Sequence, residues 1–450
     1  PYTDSQNRVP CYLPGRQSQR YPNAPAGLIY AGDSGCPAGG TNGSVGNFAP
    51  RFGFAYRLGQ QTVVRGGAGL YYTLPNTDQI NGFTSVAPFA PVFTLTDVDF
   101  QHPWQSAGIV NPFPAQFGGG VVPGSSATFT LPASIAGVFP SQYYLPTLAT
   151  WNLFVQRQLG KDWLLTAGYV ANAGYHLSSN AVGRLQINPA IYIPGQSSAS
   201  NTQARRIDPN FSSVSLYPVD LVSRYESLQV DVEKRFSRGF SLRANYTFSK
   251  LEDDENFSNP FSNAYNWGIA NTNIPNVFHF SAVWQTPRVA HGLAGVVANG
   301  WELSGITTWQ NGFPYNVASG ADNSFSGIGG DRADFTGSSI GEAVLGGQSH
   351  AREIQQYFQT SLFAKNAIGT FGNSPRNALK GPGFFGQDFA ALKNFDVIES
   401  VHVQFRAEFF NLLNNVNFNA PGATVGTGSF GKITGAGSPR ILQFGLKLLF

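Results

Sequence analysis

The sequence predicts an all-β protein, an antiparallel transmembrane β-barrel, and three observations lead to that prediction. Only 12% of the 450 residues are charged, whereas 14% are aromatic. Long stretches alternate between apolar and polar residues, and tight turns alternate with long connections along the chain. A barrel in a membrane requires this pattern, because one face of each strand meets lipid and the other meets water or protein.

Composition excludes several other classes of protein. Disordered chains combine few aromatic residues with high net charge, whereas this chain has 7 Trp, 18 Tyr, 37 Phe and a net charge of +3. No run of about 18 apolar residues exists that would form a membrane-crossing helix. The small net charge gives no electrostatic reason to bind nucleic acid. With 52 Gly and 29 Pro, the chain is a large and turn-rich β protein.

The first predicted unit is residues 1–49, a polar segment rich in Gly, Pro and Ser that is expected to be an extracellular loop. Cys11 and Cys36 are the only cysteines, and both lie in this segment. In an oxidising compartment, two loop cysteines are expected to form a disulfide. Two unrelated free thiols are the less favoured alternative, and two cysteines alone do not make a structural zinc site.

Eleven strands are predicted from residue 50 onward by alternation with period two. They span 50–58, 62–73, 147–159, 163–175, 224–236, 240–252, 276–286, 299–311, 384–396, 401–413 and 439–450. In the fifth strand, for example, Leu228, Val230 and Val232 share one face, while Gln229 and Asp231 share the other. The alternation predicts a sheet with one apolar face and one polar face.

Strand length separates a membrane barrel from a soluble β-sandwich, which also alternates. The predicted strands run about 10–14 residues, whereas strands in globular proteins are usually about 5–6. Tight turns are predicted at 59–61, 160–162, 237–239 and 398–400, and long connections at 73–146, 177–223, 254–273, 312–383 and 414–437. Short periplasmic turns and long extracellular loops are typical of outer-membrane barrels.

Residues near the strand ends support a membrane setting. Aromatic residues cluster there as in interfacial girdles; they are Tyr56, Tyr71, Tyr72, Trp151, Trp163, Phe236, Phe240 and Trp309. Lys234 is the one charge on an apolar face, and its stem is expected to extend to the interface. The last strand ends on Phe450, which resembles the terminal aromatic signal read by the barrel assembly machinery.

Several short stretches, taken in order, resemble one family closely. They are 47–56 (NFAPRFGFAY), 64–69 (VRGGAG), 311–314 (NGFP), 376–377 (RN), 381–383 (GPG), 393–395 (KNF), 406–411 (RAEFFN) and 438–440 (SPR). Each stretch is unspecific alone, but their collinear set from about residue 10 to 450 resembles the Oar-like TonB-dependent outer-membrane receptors of Gram-negative bacteria.

The resemblance implies a longer receptor with a signal peptide, often a carboxypeptidase-regulatory-like domain, a plug domain and a barrel of 22 strands. Eleven strands are half of that number. The first predicted strand runs into a tight turn and so descends, as the last strand does. Since such barrels hold an even number of strands, residues 50–450 are expected to be the C-terminal portion. No plug or TonB box is recognisable, and the lack of Met at position 1 indicates a natural start elsewhere.

By resemblance, the expected function is uptake of a large or scarce substrate across the outer membrane, not enzymatic catalysis. The implied partners are outer-membrane lipid, an extracellular ligand of unknown identity, the barrel assembly machinery, and the TonB complex acting through a plug. A barrel with a structural, adhesion or protein-export role is the alternative. A soluble extracellular β-rich binding protein or enzyme is a third hypothesis, which the long strands disfavour.

Six side chains on the polar faces are predicted to face the lumen or the plug. They are Arg235, Arg243, His279, His402, Arg406 and Glu408. For Arg406 and Glu408, an ion pair within the wall with Glu233, Arg235 or Arg243 is favoured over contact with substrate, because buried charges need partners. The six His residues show no metal-binding spacing, so no cofactor and no metal are expected.

Acidic and aromatic loop residues leave further alternatives open. The run 252–255 (EDDE) and the set Asp322, Asn323, Asp331 and Asp334 have the oxygen ligands that calcium prefers. A solvated charge run is the favoured interpretation of both sets. The loop aromatics Trp104, Tyr143, Tyr144, Trp267 and Tyr315 are suited to stacking on a ligand ring, but packing between loops is favoured.

Overall fold

The computed structural model describes residues 7–74, 86–89, 95, 98–109, 127, 129–178, 185–255, 258–287, 289–398 and 401–450. These residues are mainly strand and loop, with the short helices α1 Pro103–Ser106, α2 Asn263–Asn266, α3 Gly292–Ala298 and α4 His350–Gln355 and the 3-10 turns Gln203–Arg205, Ile340–Ala343 and Thr360–Leu362. Among the described residues, no helix is both long enough and apolar enough to cross a membrane.

The strands differ widely in length. In chain order they are β1 Pro10–Tyr12, β2 Leu28–Tyr30, β3 Asn42–Gly43, β4 Arg51–Leu58, β5 Thr62–Tyr72, β6 Ala133–Val138, β7 Gln142–Tyr143, β8 Thr147–Leu159, β9 Trp163–Leu177, β10 Leu185–Gln186, β11 Phe211–Leu216, β12 Leu221–Ser237, β13 Phe240–Asp253, β14 Gly268–Ile269, β15 Asn276–Gln285, β16 Trp301–Gln310, β17 Pro314–Tyr315, β18 Asp334–Phe335, β19 Phe363–Ala364, β20 Leu379–Lys380, β21 Phe384–Ile398, β22 Val401–Phe410 and β23 Ile441–Leu449. The long strands occupy the positions that the alternation predicts.

One antiparallel sheet dominates the fold. Within the described ranges it has twelve strands, and eleven of them follow the order β23-β22-β21-β16-β15-β13-β12-β9-β8-β5-β4. Short β14 is added at the loop end of β13. Every long strand pairs with its predecessor and its successor among the long strands, so the sheet is a meander. The predicted all-β antiparallel fold is confirmed, and each predicted strand begins and ends within three residues of the observed one.

The register gives the sheet two chemically distinct faces. Leu228 of β12 lies opposite Phe248 of β13 and Tyr169 of β9. Its neighbour Gln229 lies opposite Thr247 and Gly168. Because side chains alternate between the two sides of a strand, this register separates an apolar face from a polar face. The apolar face includes Phe52, Leu153, Leu165, Leu228, Phe248, Phe280, Leu303, Phe389, Phe405 and Phe444.

Tight turns join the hairpins on one side of the sheet. Arg238 and Gly239 take positive φ values of 51° and 83° between β12 and β13, and the turn is closed within three residues. The predicted turn at 398–400 lies partly outside the described residues. The connection from β15 to β16 is longer and contains α3, which the sequence pattern did not predict.

The two edge strands of the sheet each have one free side. Among the described residues, β4 pairs only with β5, and β23 pairs only with β22. Both edge strands are exposed along almost their whole described length. By contrast, β12 in the middle of the sheet pairs with β9 and β13 along most of its length. The sheet therefore presents two open edges of backbone N–H and C=O groups.

The long connections fold into two compact units on the opposite side from the tight turns. The first, called the N-terminal loop unit, combines described residues of 7–46, 86–89, 127–146 and 185–219. Its core includes Tyr21, Tyr30, Ile135 and Phe211, each 0–1% exposed. Cys11 and Cys36 form a disulfide within it. Residues 7–46 therefore pack with described parts of the later loops.

The second, called the C-terminal loop unit, combines residues 312–383 and 411–440. Phe358 is its central side chain, 1% exposed, with its ring centroid 5.6 Å from that of Phe363 and 5.4 Å from that of Phe430. The two units touch where the Ala190 N–H donates to the Ser326 carbonyl (2.8 Å). Arg205 Nη1 also donates to the Phe325 carbonyl (3.1 Å). The loops thus form an ordered cap at one end of the sheet.

Candidate functional site

A cavity of about 310 Å³ opens on the polar face, where β5, β8, β9, β12 and β13 lie side by side. Its lining includes Arg65, Gln156, Thr166, Gln229, Asp231 and Arg243. All six belong to the polar set of their strands, which the register turns to the same side. The cavity is therefore built by side chains from five neighbouring strands and not by a loop.

Arg243 and Asp231 form an ion pair in this cavity and remain accessible. Arg243 Nε donates to Asp231 Oδ2 at 2.9 Å, and the Asn245 amide donates to the same oxygen. The Arg243 side chain is 60% exposed, so the pair contributes at most about 1 kcal/mol to stability. Arg65 lies 5.5 Å from the Phe154 ring centroid. The arrangement presents two guanidinium groups and polar amides toward open space, where they can contact a polar partner.

His279 extends the same polar surface by one strand. It lies opposite Asn245 of β13 and Thr308 of β16, and its Nδ1 is 3.1 Å from Thr308 Oγ1. Asn245 also contacts the Asp231 carboxylate, so Arg243 and His279 belong to one continuous patch. Arg235 lies farther along β12 beside the turn, where its backbone N–H donates to the Asp162 carbonyl at 2.8 Å.

The remaining predicted residues lie in a separate region of the polar face. His402, Arg406 and Glu408 are on β22, where Arg406 faces Leu392 and Gly445 across the ladders. Strands β15, β16 and β21 separate β22 from β13, a span of roughly 19 Å at the usual strand spacing. The prediction that Arg406 and Glu408 pair with Glu233, Arg235 or Arg243 is therefore wrong. Sequence alternation assigns a face but does not assign neighbours across the sheet.

The Lys234 side chain extends toward the turn, but its ammonium binds protein there, because the side chain is only 5% exposed. Its ammonium donates to the carbonyls of Arg235, Ser237 and Phe240 at 3.0–3.2 Å and lies 3.8 Å from the Phe240 ring centroid. Lys393 on β21 also lies on the apolar face, so the prediction that Lys234 is the one charge there is wrong. Lys393 is buried as well and donates to the Asn299 carbonyl. Both lysines bind carbonyl groups at the turn end of the sheet.

Alternation alone did not identify Arg65, Gln156, Thr166 and Asp231 as members of the cavity. Their polar-set positions were visible, but no motif distinguished them from other polar residues of the strands. The tight turn at 237–239 indicates only that β12 and β13 pair. A bulge between Lys234 and Ser237 shifts the register by one residue, and beyond it Asp231 lies opposite Asn245 and near Arg243. A turn that pairs two strands, combined with matched polar faces, is the signal that finds such pairs.

The acidic runs are not solvated charge runs, which was the favoured interpretation of the sequence. Asp253 pairs with buried Arg376 at 2.5 Å, and Glu252 pairs with Lys250 at 2.8 Å. Asp254 accepts from the Val222 N–H at 2.9 Å, and burial raises the pKa of its carboxyl. Asp331 is 1% exposed and accepts from Ser324 N–H and the Asn366 amide. Asp253, Asp254 and Asp331 are therefore part of loop networks, whereas Glu252 pairs with an exposed lysine on its own strand.

No group of three His, Cys, Asp or Glu side chains that could hold a metal occurs among the described residues. The loop aromatics mostly pack against other loops. Tyr143 contacts Phe139 and Tyr315 contacts Phe358, with ring centroids 5.1 and 6.1 Å apart, and Tyr144 stacks on His176 at 4.8 Å. Trp267 remains 38% exposed, and Phe450, after β23, is 96% exposed.

Comparison with known proteins finds no match among curated sequences, but several solved structures are similar to this chain. The outer membrane transporter YddB from Escherichia coli is 10% identical with a TM-score of 0.43 over 87% of this chain and 39% of that one. The FrpB iron transporter from Neisseria meningitidis is 10% identical with a TM-score of 0.40 over 90% and 39%. BauA, the ferric preacinetobactin receptor from Acinetobacter baumannii, is 13% identical with a TM-score of 0.39 over 89% and 36%. The chain spans less than two-fifths of each of these proteins.

The family model for the outer membrane beta barrel domain matches residues 1–443. In such a domain the apolar face contacts lipid and the polar face lines the lumen. The cavity at Asp231 and Arg243 is then part of the lumen wall, and the capped end carries the long loops. This chain belongs to the outer membrane β-barrel family, and its place is the outer membrane.

Proposed function

We propose that this chain is the C-terminal part of an Oar-like TonB-dependent receptor that takes up a large or scarce substrate. The wall supplies lumen contacts for a plug and a substrate, and the two loop units capture the ligand outside. In this proposal Arg235, Arg243, His279, His402, Arg406 and Glu408 contact the plug or the substrate. Phe450 is the signal for the barrel assembly machinery.

The observation that carries the proposal is the accessible polar surface beneath an ordered loop cap. A lumen filled only by its own wall would bury its charges in pairs, whereas the Arg243 side chain is 60% exposed. A partner inside the lumen, such as a plug, would find guanidinium, carboxylate and imidazole groups there. Two folded loop units at the outer end give a surface for capturing a ligand before it enters.

The two open sheet edges support the half-barrel part of the proposal. Inside a bilayer every backbone N–H and C=O group must find a partner, because no water is present. Strands β4 and β23 each leave one side unpaired among the described residues. We therefore expect further strands to pair with both edges and close a larger barrel, which the family resemblance puts at 22 strands.

The test is made on the native protein from a detergent-extracted outer-membrane fraction. Its intact mass and N-terminal sequence are measured, and its binding to the purified periplasmic domain of TonB is followed by titration. The proposal expects a mass well above 48.4 kDa, a plug ahead of the barrel, and TonB binding that is lost when the TonB box is deleted. A native chain of 48.4 kDa would contradict the half-barrel. A large protein that does not bind TonB would favour adhesion or export.

A further inference from the structure

The connection between β15 and β16 differs from the other turns at that end of the sheet. It contains helix α3, whose seven residues (GLAGVVA) include no charge. Val289, Val296 and Val297 are 74%, 57% and 65% exposed. Soluble surfaces seldom group apolar side chains in this way without a partner, and the tight turns nearby use Gly, Gln, Ser and Arg instead.

Two contacts place this connection on the lipid side of the wall. Trp301 and Lys393 lie opposite each other on the apolar face. The Trp301 indole N–H donates to the Val297 carbonyl at 2.8 Å, and the Lys393 ammonium donates to the Asn299 carbonyl. Both side chains are on the apolar face, so the backbone of 297–299 that accepts their hydrogen bonds lies on the lipid side of the sheet and not on the lumen side.

The connection also has a defined shape. The Asn299 side chain accepts from the N–H groups of Val289 and Ala290 at 3.0 and 3.1 Å. Its amide donates back to the Ala290 carbonyl at 2.7 Å. These bonds close the connection into a compact loop that holds the exposed valines together. The apolar surface of the connection is therefore preformed, and it continues from the apolar face beside Trp301.

We propose that residues 289–300 of this connection form an interfacial anchor that inserts Val289, Val296 and Val297 into the periplasmic leaflet of the outer membrane. Phospholipid is the occupant, because the valine surface is continuous with the wall that already contacts lipid. An indole N–H and an ammonium at this level suit the headgroup boundary, where Trp and Lys are favoured. A short apolar helix in that position lies in the membrane plane.

The test uses the native full-length protein in phospholipid nanodiscs. Because Cys11 and Cys36 are bonded to each other, a cysteine introduced by Val297→Cys is available for a fluorescent label. Doxyl groups near the headgroup quench a label that enters the leaflet. Leu228→Cys on the apolar face is the lipid-exposed control, and Gln60→Cys in a tight turn is the water-exposed control.

We expect the label at Val297→Cys to be quenched at least about half as strongly as that at Leu228→Cys, given the shallow depth of interfacial helices. The double change Trp301→Phe and Lys393→Met should reduce this quenching, because it removes both bonds that hold the connection outward. Quenching equal to that of Gln60→Cys would overturn the proposal. A label shielded from aqueous iodide yet untouched by doxyl lipid would also overturn it, since protein would then cover the valines.

Discussion

The sheet and the loop units handle apolar side chains in opposite ways. On the sheet, the apolar face leaves large side chains uncovered: Phe444 is 64% exposed and Leu446 is 76% exposed. In the loop units, aromatic side chains such as Tyr30 and Phe358 are 0–1% exposed. The difference follows from the solvent. Lipid is a favourable environment for Leu and Phe, so the wall is stable without an apolar core. The loops are surrounded by water, and their apolar side chains are stable only when buried in a core.

The two regions also obtain stability from different sources. The wall is held by continuous backbone ladders between neighbouring strands, which require only correct register. The loop units contain short strands of two to six residues and rely on side-chain packing, one disulfide and buried polar networks. Changes that remove packing should therefore affect the loop units alone, while changes of face polarity should affect the wall alone.

The largest expected effect is local loss of the C-terminal loop unit in Phe358→Ala. Removing a fully buried Phe costs about 3–5 kcal/mol, and this ring contacts three other aromatic rings. Hydrogen exchange within 312–383 should accelerate, while exchange in the wall strands stays the same. Ile368→Ala, at a side chain that is 56% exposed, is the matched control. Equal exchange in both variants would contradict the packing account.

Loss of the disulfide should have the next largest effect. Cys11 and Cys36 are 25 residues apart, and closing a loop of that length stabilises by about 3–4 kcal/mol in the chain-entropy treatment. In the double variant Cys11→Ser and Cys36→Ser, protease should cleave the N-terminal loop unit faster, with the C-terminal loop unit and the wall unaffected. Cleavage at the wild-type rate would show that side-chain packing alone holds the segment.

Reversing the polarity of one wall position should distinguish the two faces. Leu228→Arg puts a cation on the apolar face and should cost about 2–4 kcal/mol in a bilayer. Gln229→Arg puts the same side chain on the polar face one residue later and should cost less than about 0.5 kcal/mol, as ordinary surface substitutions do. Folding equilibria in lipid vesicles measure both. Similar costs at the two positions would contradict the assignment of faces.

Acid should loosen the N-terminal loop unit through Asp33. Burial opposes ionisation of this carboxyl, but hydrogen bonds from Ser18, Tyr30, Arg20 and Gln19 outweigh burial and lower its pKa. The stabilisation is therefore complete above the ordinary Asp pKa of about 3.9 and is lost as pH falls below it. Asp33→Asn should cost about 1–3 kcal/mol at neutral pH and remove the acid sensitivity. Hydrogen exchange and proteolysis of the N-terminal loop unit measure both effects. Asp220→Asn, at an exposed carboxyl, is the control and should change neither the stability nor the acid sensitivity.

The smallest expected effect concerns the turn end of the wall. Lys234→Met removes an ammonium that serves three carbonyls and the Ser237 hydroxyl. Their loss should cost about 1–2 kcal/mol, because Met keeps most of the buried stem while the oxygens lose their donor. This loss of stability is measured as the temperature at which heated samples lose the folded band on cold SDS gels. Lys161→Met, at an exposed turn position, should show no shift, and an equal shift would contradict the role of Lys234.

The contrast between the wall and the loop units explains which parts of the fold could be predicted from the sequence. Wall strands could be located because period two is a local signal, and Leu228 to Val232 show it within five residues. The loop units could not be predicted, because their contacts join distant residues without a repeating pattern, as Arg205 and Phe325 do across 120 residues. Helix α3 was missed because its small apolar residues between glycines resemble a turn.

The candidate site was predictable in part for the same reason. Arg243 and His279 were assigned to the polar face from alternation alone, and the register places them in one patch. Arg406 and Glu408 were also assigned to that face, but their neighbours depended on strand order. The burial of Lys234 could not be predicted, because alternation assigns a residue to one face of the sheet and no more. Its burial depends on the positions of the turn carbonyls around the ammonium.

The measurement that tests the central claim most directly is a lipid-contact scan of six consecutive residues, 228–233, in the native protein in nanodiscs. Each position is changed to Cys, labelled, and exposed to doxyl lipid and to aqueous iodide. The account predicts alternation, with strong lipid quenching at Leu228, Val230 and Val232 and none at Gln229, Asp231 and Glu233. Iodide access at all six positions without lipid quenching would contradict a membrane wall and indicate a soluble sheet.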